Sequence, residues 1–111
     1  MEIVADKVTE EWLVAWEGEL DWDENNLVKL SKHQVTIDDI EHVFWDIEFF
    51  YLGKVKPPED TDWNEDRHIC VGERLDKKVL AIIWTKRDNR LRPISCRRAR
   101  KNEERAYNER K

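Results

Sequence analysis

Two rhythms of apolar and polar residues run along this chain, one near four residues in its first half and one nearer two in its second. Val8, Trp12, Trp16 and Leu20 recur every fourth residue, with Ala15 beside them, while Glu10, Glu11, Glu17 and Glu19 lie mostly off the stripe. The spacing predicts an amphipathic helix over 7–20 that caps the core and is weakened near Gly18. Leu20-Asp21-Trp22 reads as a brief strand. Asp23 is placed to cap a second helix to about Lys32, with Leu27, Leu30 and Val28 inward, broken by His33-Gln34-Val35. Thr36 caps a third, with Asp38 and Asp39 in its first turn, where the helix dipole favours carboxylates. Its stripe is Ile37, Ile40, Val43 and Phe44, and it ends near Asp46.

From there the pattern turns to strands. Phe49 to Val55 and Arg67 to Glu73 read as extended, separated by Pro57-Pro58 and an acidic loop through Asp66, the segment expected to be most mobile. The strongest signal is Val79-Leu80-Ala81-Ile82-Ile83-Trp84-Thr85, β-branched and aromatic on both parities, as in a central strand covered on both faces. Leu75-Asp76-Lys77 supplies a hairpin turn before it and Asp88-Asn89 a turn after it. Leu91 to Cys96 is extended again, and Pro93 within it marks an edge or a bulge. A polar helix closes the chain. Helices gathered beside consecutive antiparallel strands make an α+β domain: a small antiparallel sheet of about four strands, with N-terminal helices and a C-terminal helix.

Composition adds three constraints. At 111 residues, 41% charged and with six Trp, the chain is one domain with a modest, aromatic-weighted core. Trp84 and Trp45 are expected inside it and Trp63 outside. No apolar run reaches the roughly 18 residues that span a bilayer. The opening Met1-Glu2-Ile3-Val4-Ala5-Asp6 is not a secretory signal, and Cys70 and Cys96 form no CxxC pair, so a reduced, cytoplasmic protein is expected, with buried thiols. His68, Cys70 and Cys96 are a conceivable zinc set, but plain core is the simpler reading and no metal is expected. Residues 1–66 hold 5 Lys and Arg against 19 Asp and Glu, a net of −14; residues 67–111 hold 15 against 6, a net of +9. The split suggests a basic working face on an acidic remainder, unless the two halves simply neutralise each other across the fold.

Arginine is the candidate chemistry. Arg87, Arg90, Arg92, Arg97, Arg98 and Arg100 fall at strand ends, and a rigid sheet carrying them is suited to bidentate contact with an anion, most naturally phosphate. Thr85 and Arg87 share a face in an extended chain.

An ordered set of short motifs accompanies this pattern: Trp22-Asp23-Glu24-Asn25, Lys32-His33, Val43-Phe44-Trp45-Asp46, Asp66-Arg67, Val71-Gly72, Thr85-Lys86-Arg87, then Arg92, Ile94, Ser95, Arg97, Ala99, Glu103 and Tyr107. Over roughly residues 20–107 the set resembles the BrnT family of type II toxin–antitoxin ribonuclease toxins. Gln34 stands where the family usually has Gly, and residues 1–19 are an N-terminal helical extension to a toxin domain at 20–111. The resemblance implies a RelE-like fold and metal-independent endoribonuclease activity with no cofactor. Its partners would be RNA as substrate and a cognate antitoxin, which alone would contact operator DNA; no membrane is implied, and a homodimer stays open. In that chemistry the ribose 2′-hydroxyl attacks the adjacent phosphate and fixed cations stabilise the developing charge. Arg67, Arg87 and Arg97 are the expected catalytic set, with Arg92, Lys32 and His33 on the RNA. The ordinary alternative is a set of surface salt bridges with the acidic loop, and for His33 a helix C-terminal His satisfied by carbonyls or packing. No general base is evident, which leaves a catalytically inactive interaction or nucleic-acid-binding module as the rival reading.

Overall fold

The computed structural model describes residues 2–31, 34–46, 48–58 and 65–110. The expected mobile loop lies outside these for its greater part, and so do Trp63, Lys32 and His33. A five-stranded antiparallel sheet in the order β1-β2-β3-β4-β5 organises the described residues: Ile3–Val4 (β1), Phe50–Val55 (β2), Arg67–Glu73 (β3), Val79–Arg87 (β4) and Arg90–Arg98 (β5). Four strands were legible. The fifth, β1, is two residues long, too short to show a period, and it pairs Ile3 with Val55 and Val4 with Lys54. Gly53 permits that approach. It sits at φ +149°, and a Cβ built there would overlap the Val4 carbonyl oxygen.

The long apolar run becomes β4, hydrogen-bonded on both sides, with Trp84 fully buried. Across from it, β5 pairs Ile83 with Ser95 but Trp84 with Pro93, so the strand carries one extra residue at Ile94. This is the bulge that Pro93 foreshadows.

Each sheet face has its own core. One face presents Tyr51, Cys70, Leu80, Ile82, Trp84, Leu91 and Cys96 to the N-terminal helices. Lys7–Ala15 (α1) lays Trp12 on Trp84, ring centroids 5.7 Å apart, and Trp16 lies edge-on to Phe44 at 5.7 Å. The buried stripe of α1 is Thr9, Trp12, Leu13 and Trp16, the i, i+3, i+4, i+7 set, whereas Val8 is 70% exposed. A strict four-residue repeat overshoots a 3.6-residue turn, so Val8 drifts off the seam. The helix also stops at Ala15 rather than at 20, where Trp16 adopts extended backbone. Glu24–Ser31 (α2) buries Leu30. Ile37–Glu41 (α3) starts on a capping box between Thr36 and Asp39 and runs into a π-helical turn, His42–Asp46. The wider turn shifts the phase: Val43 and Phe44 stay inside, but Trp45 swings out to 53% exposure and donates from Nε1 to the Gly18 carbonyl at 2.7 Å. The expectation of a core Trp45 fails for that reason.

The second face holds Val55, Ile69, Val71, Val79 and Ala81, with Lys101–Arg110 (α4) laying Tyr107 against it, edge-on to Phe50 at 5.5 Å. Gln34 has φ 57°, a left-handed backbone that Gly adopts without strain. No helix among the described residues is long and apolar enough to cross a membrane.

Candidate nucleic-acid interface

Strand register sorts the arginines. Directly paired residues share a sheet face, and the β4–β5 pairs Ala81/Arg97, Ile83/Ser95, Thr85/Arg92 and Arg87/Arg90 all lie on the α4 face. Arg67 opens β3 on the same face, since its neighbours Ile69 and Val71 point there. Thr85 and Arg87 share the face as their spacing implies, and the Thr85 hydroxyl donates to the Asp66 carbonyl at 2.8 Å, tying β4 to the entry of β3. Arg67, Arg87, Arg90 and Arg92 therefore gather at one end of the sheet. Arg97 does not join them. It pairs four residues back along β4 from the Thr85 row, about 13 Å at the usual strand rise.

Carboxylates meet these guanidiniums. Arg97 forks onto Glu103, Nη1 to Oε1 at 2.7 Å and Nη2 to Oε2 at 2.9 Å. Glu103 is 4% exposed and also accepts the Arg100 N–H at 2.8 Å, capping the first turn of α4. Its hydrogen bond to Glu103 holds Arg97 above its ordinary pKa. Burial pushes Glu103 upward, but the Arg97 fork and the Arg100 N–H outweigh it, and its carboxyl titrates below the usual range. Arg97 thus pins α4 to the sheet. Arg92 reaches Asp21, with Nε at 3.0 Å and Nη2 at 2.8 Å from the same oxygen, and its Nη1 lies 3.8 Å from Asp23. Arg90 lies 3.7 Å from the other Asp21 oxygen. Arg87 donates from Nη2 to Glu65 at 2.8 Å, with both side chains about two-fifths exposed at 42% and 38%.

The opposite face carries a buried polar chain beneath α1. Asp6 caps the helix and accepts the Thr9 hydroxyl at 2.7 Å, which holds its carboxyl below the ordinary value. Thr9 is fully buried and neighbours Tyr51, whose hydroxyl is 2.9 Å from His68 Nδ1. His68 is fully buried as well, and burial, with the field of Lys86, pushes it down to about 4, so it is neutral. Burial also raises Tyr51. Trp84 Nε1 donates to Cys70 Sγ at 3.1 Å, and burial pushes Cys70 up and Cys96 to about 12. These are packed, inert thiols. Cys70 and Cys96 flank Ile82 in one row, two strand spacings or roughly 10 Å apart. Among the described residues no group of three His, Cys, Asp or Glu could hold a metal ion. His68 faces away from the arginines, so it does not supply the missing base.

The Arg87–Glu65 pair is the salt bridge to the acidic loop that the ordinary alternative named, whereas sequence reasoning missed Asp21 and Glu103 as partners. Asp21 and Arg92 are 71 residues apart, and nothing local links them. Glu103 carried a readable signal, an acid three residues after the N-cap position of a helix.

The fold is α+β, and one end of its sheet carries several guanidiniums, groups whose geometry suits oxyanions. The chain matches the model of a family described as the ribonuclease toxin BrnT of type II toxin–antitoxin systems, over residues 22–103, and it belongs to that family. No curated protein matches it.

Proposed function

We propose that this chain is a BrnT-type endoribonuclease that binds RNA phosphates at the Arg67, Arg87, Arg90 and Arg92 end of its sheet and cleaves without a metal. The observation that carries the reading is the register that puts these four in adjacent rows on one face. Arg67 and Arg87 stabilise charge on the attacked phosphate, and Arg92 holds the flanking backbone. Lys32 and His33 are kept as RNA contacts on the family resemblance. Arg97 is assigned a positioning role, because its fork is filled by Glu103. A cognate antitoxin covers the basic face and reaches operator DNA on the toxin's behalf, and residues 1–19 act as a cap on the toxin domain at 20–111.

The test is purified protein incubated with total RNA, wild type beside Arg67→Ala/Arg87→Ala, with and without a chelator. Cleavage is expected to fall at least about 100-fold in the double variant, the scale of losing a transition-state donor, and to survive the chelator. Equal cleavage by the double variant overturns the assignment. One observation favours a second reading, an interaction module without catalysis: Arg87, Arg92 and Arg97 each already hold a carboxylate. Intact RNA, together with retained antitoxin binding, selects it.

A further inference from the structure

Among the described residues the ion pairs on the arginine face fall into three groups, and they are not alike. The Arg97–Glu103 pair is bidentate and sealed, part of the joint that holds α4. The Arg87–Glu65 pair is a single hydrogen bond, and Arg87 Nε is buried with no hydrogen-bond partner among the described residues. The described residues therefore use only half of that fork. The Asp21 cluster is intermediate. Two donors of Arg92 converge on one oxygen, Arg90 approaches the other, and Asp21 is only 13% exposed.

Asp21 is also held by backbone. Its N–H donates to the Leu91 carbonyl at 2.9 Å, and the Leu91 N–H donates to the Glu19 carbonyl at 3.0 Å. A parallel bridge, Leu20 to Leu91, thus zips residues 19–21 along the outer edge of β5. The carboxylate is delivered to the arginines as rigidly as a strand residue, unlike a long side chain wandering on a surface. It lies just outside the stretch matched to the family.

Resting on the proposed function, we propose that Asp21 and Glu65 are built-in occupants of the RNA site: carboxylates seated where backbone phosphates bind, which RNA must displace. A backbone phosphodiester offers two non-bridging oxygens and satisfies a guanidinium fork edge-on, so the exchange favours RNA where the internal contact is single-toothed. Glu65 leaves first, because an exposed, single-bonded pair contributes little. Asp21 is the stronger brake, because it engages two arginines and is fixed by backbone, so RNA must draw the guanidiniums off it. The site is partly neutralised at rest, two acids against four arginines, and its RNA affinity is set by these two acids as well as by the arginines.

The test measures binding of a fluorescent oligouridylate to the full chain across a salt series. Asp21→Asn keeps shape and an acceptor while removing the charge; Glu65→Gln does the same at the exposed pair. Glu11→Gln, an equal charge change on the exposed side of α1, reports the bulk electrostatic effect alone. Asp21→Asn is expected to tighten binding about 5- to 10-fold at low salt, Glu65→Gln about 2- to 3-fold, and Glu11→Gln less than either. The slope of log affinity against log salt is expected to steepen by about 0.7 for each added phosphate contact in the two site variants only. Binding by the wild type with Asp21→Asn and Glu65→Gln no tighter than Glu11→Gln overturns the proposal and leaves the proposed function standing. Absence of binding by every variant, each folded by circular dichroism, overturns both. Should Asp21→Asn unfold, Glu65→Gln decides alone, since breaking an exposed pair leaves the fold intact.

Discussion

At the scale of single residues, burial decides what each titratable group does. Two histidines of ordinary sequence context fare differently. His42 is partly buried on the π-helical turn, 3.2 Å from the exposed Asp46, whereas His68 is sealed under α1 between Tyr51 and Trp84. A neutral, buried His68 makes stability depend on acid. Its folded pKa of about 4 lies below the ordinary 6.5. The unfolded chain therefore takes up a proton in that window and the folded chain does not. Stability is full above pH 6.5, falls as pH drops from 6.5 toward 4, and stops falling on this account below 4. Denaturant unfolding at pH 7 and pH 5.5 should show the wild type losing about 1 kcal/mol more than His68→Gln between the two. Matching losses would mean that His68 is hydrated or charged in the fold. Asp6, Lys54, Asp66 and Lys86 supply the surrounding field, and the acid-side slope reports their sum with burial.

Among the elements, the joints carry more information than the elements themselves. The strands at 67–73 and 79–87 are legible from β-branched runs, and the caps at Asp23 and Thr36 or the turn at Asp88-Asn89 follow from local chemistry. What escaped was the pairing of short pieces over long range: β1 on β2, and residues 19–21 on β5. Neither has a period of its own, and each is ordered only by an edge made elsewhere. Gly53 is the record of one such joint. Gly53→Ala is expected to cost about 2–3 kcal/mol in the full chain, from left-handed strain plus collision with β1. In a chain lacking residues 2–5 the collision disappears and the cost should drop to about half. An identical cost in both backgrounds would show that β1 does not press on Gly53.

Across the whole molecule, the N-terminal segment and the arginine face are two sides of one sheet. Residues 1–19 put Trp12, Leu13 and Trp16 over Trp84 and Phe44, burying aromatic area that the other helices leave open. Deleting residues 2–16 should lower unfolding free energy by at least about 3 kcal/mol, the burial of two or so large apolar side chains. A midpoint unchanged in a denaturant titration would mark the segment as dispensable to the core. The basic half of the chain does fold into a basic sheet end, but acids from the other half come to meet it, and the separation seen along the sequence is partly undone in space. By itself the sequence determined the α+β class, four of the strands, most helix starts and the family, because caps, turns and apolar periods act over a few residues. Only the tertiary structure decided which arginines stand together, that Arg97 serves α4, and that Asp21 and Glu65 occupy the rest. Coulomb partners are chosen by distance through space, and no local pattern encodes a meeting of side chains 71 residues apart.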